Sequence, residues 1–449
     1  MSERQVALSI LYDTEVKDAY LNLVFMNALK QHQTTPLSAA FIKELVFGVY
    51  RNKLLLDHII RTHSSLRLKK IEPKVLVILR MGVYQILFMD KVPPHAAVSE
   101  SVALTKKNSR ARTAGFVNAV LREVLRSVDA EKELLPSKDD KIKYLSVKYS
   151  YPEDLTAFYV KTFGETRAES MMDAGNKTPP LCVRVNTLKC TRNELIEKLN
   201  SAGIETKETP FTDCGLYLSG ASEQQRAKFI SLFTVQDQSS QLVGFALSPA
   251  PRDTVLDLCA APGGKTTHLA ELMENQGKIL AFDLYEKRLA DVATSAKRLG
   301  ITIISAQQAD AAILNPVLIA SADKVLVDMP CSGLGIIRRK PDIKYKEGIT
   351  DFGEIVSLQK SILNNAKTYV KCGGILVYST CTINPEENLQ MIQGFLKENP
   401  DFQLSPIESA HITGTMKQRA LEGFIEIYPD TDESDGFFVC RLKKCDRKE

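Results

Sequence analysis

No run of eighteen apolar residues occurs in the 449-residue chain, which excludes a transmembrane helix. No apolar signal core follows Met1-Ser2-Glu3-Arg4, so a cytoplasmic protein is expected. The nine cysteines contain no C-x-x-C pair and no disulfide-framework spacing, which predicts free thiols in a reducing compartment. The six histidines form no metal signature, and no metal is expected. A net charge of +4 is only a weak pointer to an anionic partner. What is present, 44% hydrophobic and 25% charged residues, suits a soluble globular protein. The chain is too long for one ordinary core, so two or three domains are expected.

Two familiar phosphate-binding patterns are also missing from the most informative stretch, Thr254 to His268. A Walker A loop needs glycine five positions before Gly264, where Cys259 stands, and no G-x-G-x-x-G is present. What remains is an apolar strand (Val255, Leu256, Leu258), a turn with Pro262, Gly263 and Gly264, and a helix from Thr266 to Met273. This is the opening of a doubly wound α/β unit. Adjacent glycines let the main chain approach a ligand, and the helix start favours an anionic group such as a carboxylate. Asp283 ends a second strand, Lys278 to Phe282, about twenty residues on, where an acid binds vicinal ribose hydroxyls. Loop and acid together predict a nucleoside-bearing cofactor.

Residues 1–128 read as an all-helical bundle. Phe41, Leu45 and Val49 and then Leu76, Leu79, Val83 and Leu87 follow helical spacing, Pro73 opens a helix, and Pro93-Pro94 breaks the pattern. The bundle closes on a basic section with Lys106, Lys107, Arg110, Arg112, Arg122 and Arg126 against Glu100 and Glu123. That section suits RNA phosphates or is a solvated face. Ser127 to Asp140 reads as a linker. Residues 141–232 give two helices, a strand at Leu181–Val185, a helix from Thr191 to Ala202, and short strands at Ile204–Lys207 and Leu216–Leu218. Arg184 and Asn186 are open between an RNA-facing role and ordinary sheet surface.

From residue 233 onward helix and strand alternate, which predicts a mostly parallel sheet covered on both faces. Helices are expected over Gln236–Leu247, Tyr285–Leu299 (stopped by Gly300) and Ile355–Val370. Strands are expected at Ile301–Ile304, Lys324–Val327 and Ile375–Tyr378, with a closing hairpin of Phe424–Tyr428 and Gly436–Leu442. Asn384 reads as a helix cap, with Pro385 first and Glu386 and Glu387 in the first turn. Asp257, the glycine loop, Asp283, Asp310, Asp328, Cys331 and Cys381 all fall at or just after strand ends. Such a fold gathers them along one edge, where ligands of these sheets bind.

The loop resembles motif I of the S-adenosylmethionine-dependent RNA cytosine-C5 methyltransferases. Asp310, Asp328-Met329-Pro330-Cys331-Ser332-Gly333 and Ser379-Thr380-Cys381-Thr382 match further motifs. The resemblance covers about half the chain densely and most of the rest more weakly. It implies a Rossmann-like class I methyltransferase domain with a mostly parallel seven-stranded sheet (233–449). An RRM-like α+β subdomain (141–232) and an all-α NusB-like RNA-binding domain (1–128) precede it. The stretch from Ala114 to Arg122 carries the NusB likeness most clearly. The resemblance also implies that Cys259, Ala260, Ala261, Pro262, Gly263, Gly264 and Lys265 wrap the methionine end of S-adenosylmethionine. Asp283 would hold the ribose and Asp310 the adenine amino group.

Cytosine C5 is too weak a nucleophile to attack a methyl sulfonium unaided. A thiolate adding at C6 makes it enamine-like; the reaction also needs a group for N3 and a proton acceptor. Sequence spacing does not rank Cys331 against Cys381, and buried core cysteine is the plain alternative for both. The resemblance implies Cys381 as nucleophile, Cys331 as the thiol that helps release product, and Asp328 as the partner of N3 and a liner of the cofactor pocket. Arg338, Arg339 and Lys340 either grip phosphates beside the target base or belong to a solvated loop. The base must be unstacked, which suits single-stranded RNA. The implied substrate is small-subunit ribosomal RNA, acted on by a monomer with no membrane or metal partner. A tRNA substrate and a non-catalytic RNA-binding factor are the alternatives.

Overall fold

The structure is a computed structural model that describes residues 1–445 apart from 18, 33, 221, 409–411 and 413. The chain forms two compact units, one of residues 1–177 with 337–350 and one of residues 178–336 with Asp351 onward.

The first unit is helical. Its bundle runs through Glu3–Val16, Leu21–His32, Pro36–Arg51, Lys53–His63, Pro73–Phe88, Pro94–Asn108 and Ala111–Asp129. The starts are written locally. Ser2 and Thr35 accept from the main-chain N–H of Gln5 and Ser38, and Pro36, Pro73 and Pro94 each open a helix. Leu45, Val49, Leu79, Val83, Val117 and Leu121 are buried in one core. Arg80, buried in this core, is held by Asp57 and Glu15 at 2.6 Å each. Helices Lys141–Tyr149, Glu153–Phe163 and Glu165–Asn176 follow in the same unit.

The stretch 337–350 also belongs here, which its sequence did not announce. Lys344 is fully buried, its Nζ donating to Arg51 O at 2.8 Å and Asn176 Oδ1 at 3.0 Å and lying 4.5 Å from the Tyr151 ring. Burial, with the Arg51 cation nearby, holds its amine well below the ordinary lysine range. Tyr345 donates to the carbonyls of Tyr50 and Ser150. Arg338 is 6% exposed, and its carbonyl accepts from Arg51. The expectation that Arg338 grips phosphate from a loop is therefore corrected: its guanidinium is turned inward, and of the three cations only Lys340 is exposed.

The second unit begins with an antiparallel sheet of β1 (Leu181–Val185), β2 (Glu205–Glu208), β3 (Gly215–Ser219) and β4 (Phe233–Val235), in the order β2-β3-β1-β4. Helices Arg192–Ser201 and Glu223–Ala227 lie between β1 and β2 and between β3 and β4, which is ferredoxin-like connectivity. Thr191 and Glu194 close a capping box on the first helix.

The large sheet contains β5 (Thr254–Asp257), β6 (Lys278–Asp283), β7 (Ile304–Gln308), β8 (Ala322–Asp328), β9 (Val370–Thr380), β10 (Phe402–Leu404), β11 (Phe424–Ile427) and β12 (Phe437–Lys444). Seven strands run in the order β10-β12-β9-β8-β5-β6-β7, and β11 adds an eighth beside β12. The five from β9 to β7 are parallel, and β12 is antiparallel to β9. Alternate residues bury opposite faces. Val255, Leu326 and Val377 pack under helices Gln238–Leu247 and Gly264–Leu272. Leu256, Val325 and Leu376 pack under Gly353–Tyr369 and Leu389–Glu398.

The third strand of the Rossmann-like run begins at Ile304, where the expected strand ended. Ile301 instead completes the stop of helix Glu286–Leu299: Gly300 is left-handed and the Ile301 N–H bonds Ala296 O at 2.9 Å. The apolar run belongs to that stop, and the strand itself is written in Ser305, Gln307 and Gln308 at an open edge.

Candidate active site

The parallel strands deliver their C-terminal residues to one edge, with Asp257, Asp283 and Asp328 ending β5, β6 and β8. Cys381 follows β9, and Asp310 lies two residues beyond β7. The loop after β5 needs its glycine. Gly263 has φ +100°, and a Cβ there would stand 3.0 Å from Val292 Cα. Beside Gly264, by contrast, a Cβ would meet only Gln236 Nε2 at 4.0 Å, so that face of the loop is open. Asp257 is buried and accepts from Thr266 Oγ1 at 2.7 Å. Burial pushes its carboxyl up to about 7, and its Oδ1 meets no hydrogen-bond partner among the described residues.

Asp283 receives the main-chain N–H of Ala261 at 3.2 Å and of Tyr285 at 3.1 Å, which aims its carboxylate across the loop mouth. Asp310 accepts from Ala312 N at 2.9 Å in an Asx turn. Cys259 lies among these acids, and burial with its anionic neighbours holds its thiol well above the ordinary range. It is a neutral liner of the loop. The donor set of main-chain N–H groups, carboxylates and an open glycine face fits a zwitterionic nucleoside.

On the other side of β5, Asp328 accepts from Lys265 Nζ at 2.6 Å and from Ser379 Oγ at 2.8 Å. Lys265 also lies 5.2 Å from the centre of the Phe437 ring. The ion pair ties the glycine-loop helix to the strand that carries the Cys331 turn. Cys331 and Cys381, fifty positions apart, bring their sulfurs to 3.3 Å. The hydrogen bond to Cys381 and burial raise the Cys331 thiol well above its ordinary range, so Cys331 keeps its proton.

Beneath this pair is a network that the sequence reading missed. Glu387, fully buried, takes the Ser332 N–H at 2.9 Å and Ser332 Oγ at 2.6 Å, and also Gln359 Nε2 and Asn384 Nδ2. Ser332 Oγ in turn meets Thr382 Oγ1 at 2.7 Å. The residues next to the two cysteines are thus stapled through one carboxylate. Asn384 does cap, but what it caps is the 3-10 turn Pro385–Glu387; the α-helix starts at Leu389. Glu387 therefore points into the protein and does not serve a helix dipole. The cue was present in the polar run Asn384 to Asn388 directly after the cysteine motif.

Residues 244–443 match the model described as 16S rRNA methyltransferase RsmB/F, 1–126 match the NusB family, and 151–224 match an RsmF/B-like ferredoxin-like domain. A Bacillus subtilis protein named "Probable ribosomal RNA small subunit methyltransferase B" is 35% identical over 448 residues, covering 99% of both chains. The chain belongs to the 16S rRNA methyltransferase RsmB/F family. The ribosomal RNA small subunit methyltransferase B of Klebsiella pneumoniae is 34% identical, with 92% of each chain covered. A solved structure titled PH0851 superposes with a TM-score of 0.81 at 28% identity, covering 99% of both chains.

Within this RsmB/F-family fold, the loop residues, Asp283, Asp310, Asp328, Cys331 and Cys381 all lie along one sheet edge. Arg184 and Asn186 do not face outward: both are 0% exposed. Asn186 Nδ2 donates to Leu299 O at 2.9 Å and Ser231 O at 3.1 Å, and Arg184 reaches the glycine-loop helix. Neither reading offered for them, RNA contact or sheet surface, holds.

Proposed function

We propose that this chain transfers a methyl group from S-adenosylmethionine to C5 of a cytosine in small-subunit ribosomal RNA, through a transient bond between Cys381 and cytosine C6. The observation that carries this reading is the pair of sulfurs 3.3 Å apart, beside Asp328 and next to a loop suited to a zwitterionic nucleoside. The donor, when bound, supplies an electrophilic methyl group on a sulfonium. Main-chain N–H groups of Gly264 and Lys265, at the start of their helix, would hold its carboxylate, Asp283 its ribose and Asp310 its adenine.

Cys381 takes the nucleophile's role that the Ser379-Thr380-Cys381-Thr382 resemblance implies, with Cys331 Sγ 3.3 Å away to hydrogen-bond the developing thiolate. As Sγ bonds to C6, the Cys381 thiol gives up its proton and N3 gains one with Asp328 as relay, while the C5=C6 pair moves into C4–C5 and the C4=N3 pair moves onto N3. C5, now enamine-like, accepts the methyl group. Elimination then passes the C5 proton to a base, returns an electron pair to the Cys381 sulfur and frees N3 of its extra proton. Cys331 supplies a proton that keeps the departing sulfur from adding again.

RNA contact is assigned to the closing helices of the bundle. A cavity of about 430 Å³ between Pro94–Asn108 and Ala111–Asp129 is lined by Val98, Val102 and Leu125, with His95, Lys106 and Arg122 around them. This mixed apolar and cationic lining suits an RNA base with its phosphates.

The test is to incubate the protein with isotopically labelled donor and small-subunit RNA, digest the RNA and identify the labelled nucleoside by mass spectrometry. Label in 5-methylcytidine is expected; label in any other nucleoside overturns the assignment.

A further inference from the structure

Arg184 belongs to β1 of the ferredoxin-like sheet, yet every N–H of its guanidinium is used on the glycine-loop helix or beside it. Nε and Nη2 each donate to the Glu271 carboxylate at 2.9 Å, and Nη2 also reaches Thr267 Oγ1 at 3.2 Å. Nη1 donates to Gly264 O at 2.7 Å and to Gln236 Oε1. Arg184 thus grips helix Gly264–Leu272 from its first residue to its last turn, with side-chain exposures of 0% for Arg184 and 1% for Glu271.

The contact with Gly264 O bears on the ligand face. In a trans peptide the carbonyl and the following N–H point in opposite directions. Holding Gly264 O toward Arg184 therefore aims the Lys265 N–H the other way, out of the helix start. A charge-assisted bond to the carbonyl also polarises that peptide and makes its N–H a stronger donor. As the second residue of its helix, Lys265 has no carbonyl within the helix to take this N–H, which leaves the donor available to a ligand.

We infer that Arg184 is a positioning residue for the methyl-donor site, one that acts through the Gly264–Lys265 peptide. The inference rests on the reading of the loop as a donor site. It makes the ferredoxin-like sheet part of the donor pocket's foundation.

The experiment measures the dissociation constant of S-adenosylhomocysteine by calorimetry, and the unfolding midpoint, for the full-length wild type, Arg184→Lys and the paired Arg184→Met/Glu271→Met. Lysine keeps the charge but cannot reach Glu271, Thr267 and Gly264 together. The paired variant removes the buried charges together, which preserves folding where a single loss leaves an unpaired ion. Both variants are expected to weaken binding by about tenfold or more, as for loss of a charged hydrogen bond. With RNA and saturating donor, kcat should stay within about threefold, because Arg184 touches no reacting atom. Wild-type-like affinity, within about twofold, in either folded variant overturns the inference, whatever happens to the unfolding midpoint. A folded wild type that binds no S-adenosylhomocysteine overturns instead the donor-site reading on which it rests.

Discussion

Cys331 and Cys381 place their sulfurs 3.3 Å apart without a disulfide between them, one held by the turn after β8 and the other at the end of β9. Burial and the contact with Cys381 hold the Cys331 thiol well above its usual range. With Cys331→Ala, the Cys381–RNA bond should form but release poorly, so a protein–RNA adduct should accumulate and survive a denaturing gel. Cys381→Ala should give no adduct and lose activity by about a thousandfold or more. An adduct from Cys381→Ala would reverse the two roles.

Glu387 fixes the turn that carries Cys331 through four bonds from Ser332, Gln359 and Asn384. Glu387→Ala leaves those donors buried and unmatched and should cost about 3 kcal/mol of stability by denaturant unfolding. Glu387→Gln keeps part of the network and should lose less. In both variants the rate of adduct formation on a Cys331→Ala background should fall more than S-adenosylhomocysteine affinity. Equal losses would assign Glu387 a purely structural role.

Asp257 gives a pH signature. Burial raises its carboxyl to about 7, whereas an unfolded aspartate titrates near about 4. Between those values the folded chain retains a proton that the unfolded chain has released. Asp257 therefore lowers stability progressively as pH rises from about 4 to about 7, and its effect is constant above. Asp257→Asn should remove that slope, so the variant's unfolding midpoint should rise relative to the wild type's as pH increases across this window. A gap that does not change with pH would show that the carboxyl titrates normally.

The closing helices of the bundle carry Lys106 and Arg122, which line a cavity together with Val98, Val102 and Leu125. Replacing both with alanine should weaken RNA binding by about tenfold and reduce the slope of log affinity against log salt by about two. S-adenosylhomocysteine affinity should not change. An unchanged salt slope would remove these two cations from the RNA interface.

Strand ends and the glycine turn were readable because their signals are local: an apolar run, a break, then a residue of the needed type. Asp257, Asp283, Asp328 and Cys381 fall where such runs stop, and each lies at the expected edge. Ile301 misled for the same reason, since a short apolar run marks a helix stop as readily as a strand. Arg184, Glu387 and Lys344 were not legible. A charged residue within an amphipathic sequence looks solvated, and its burial depends on partners such as Glu271, Ser332 and Asn176, which are distant in sequence. Long-range pairing of this kind leaves no periodic trace.

Because residues 337–350 belong with the helical unit, the backbone leaves that unit after residue 177, returns at 337 and departs again at 350. Trimming the gene to its first 177 codons would strip away Lys344 and Tyr345 and leave Arg51, Tyr50, Ser150 and Asn176 facing a hole. A fragment that starts at 178 would carry the same lysine with no cage to enter. Neither half is an independent module, and evolutionary shuffling of one without the other would have to move two pieces of coding sequence at once.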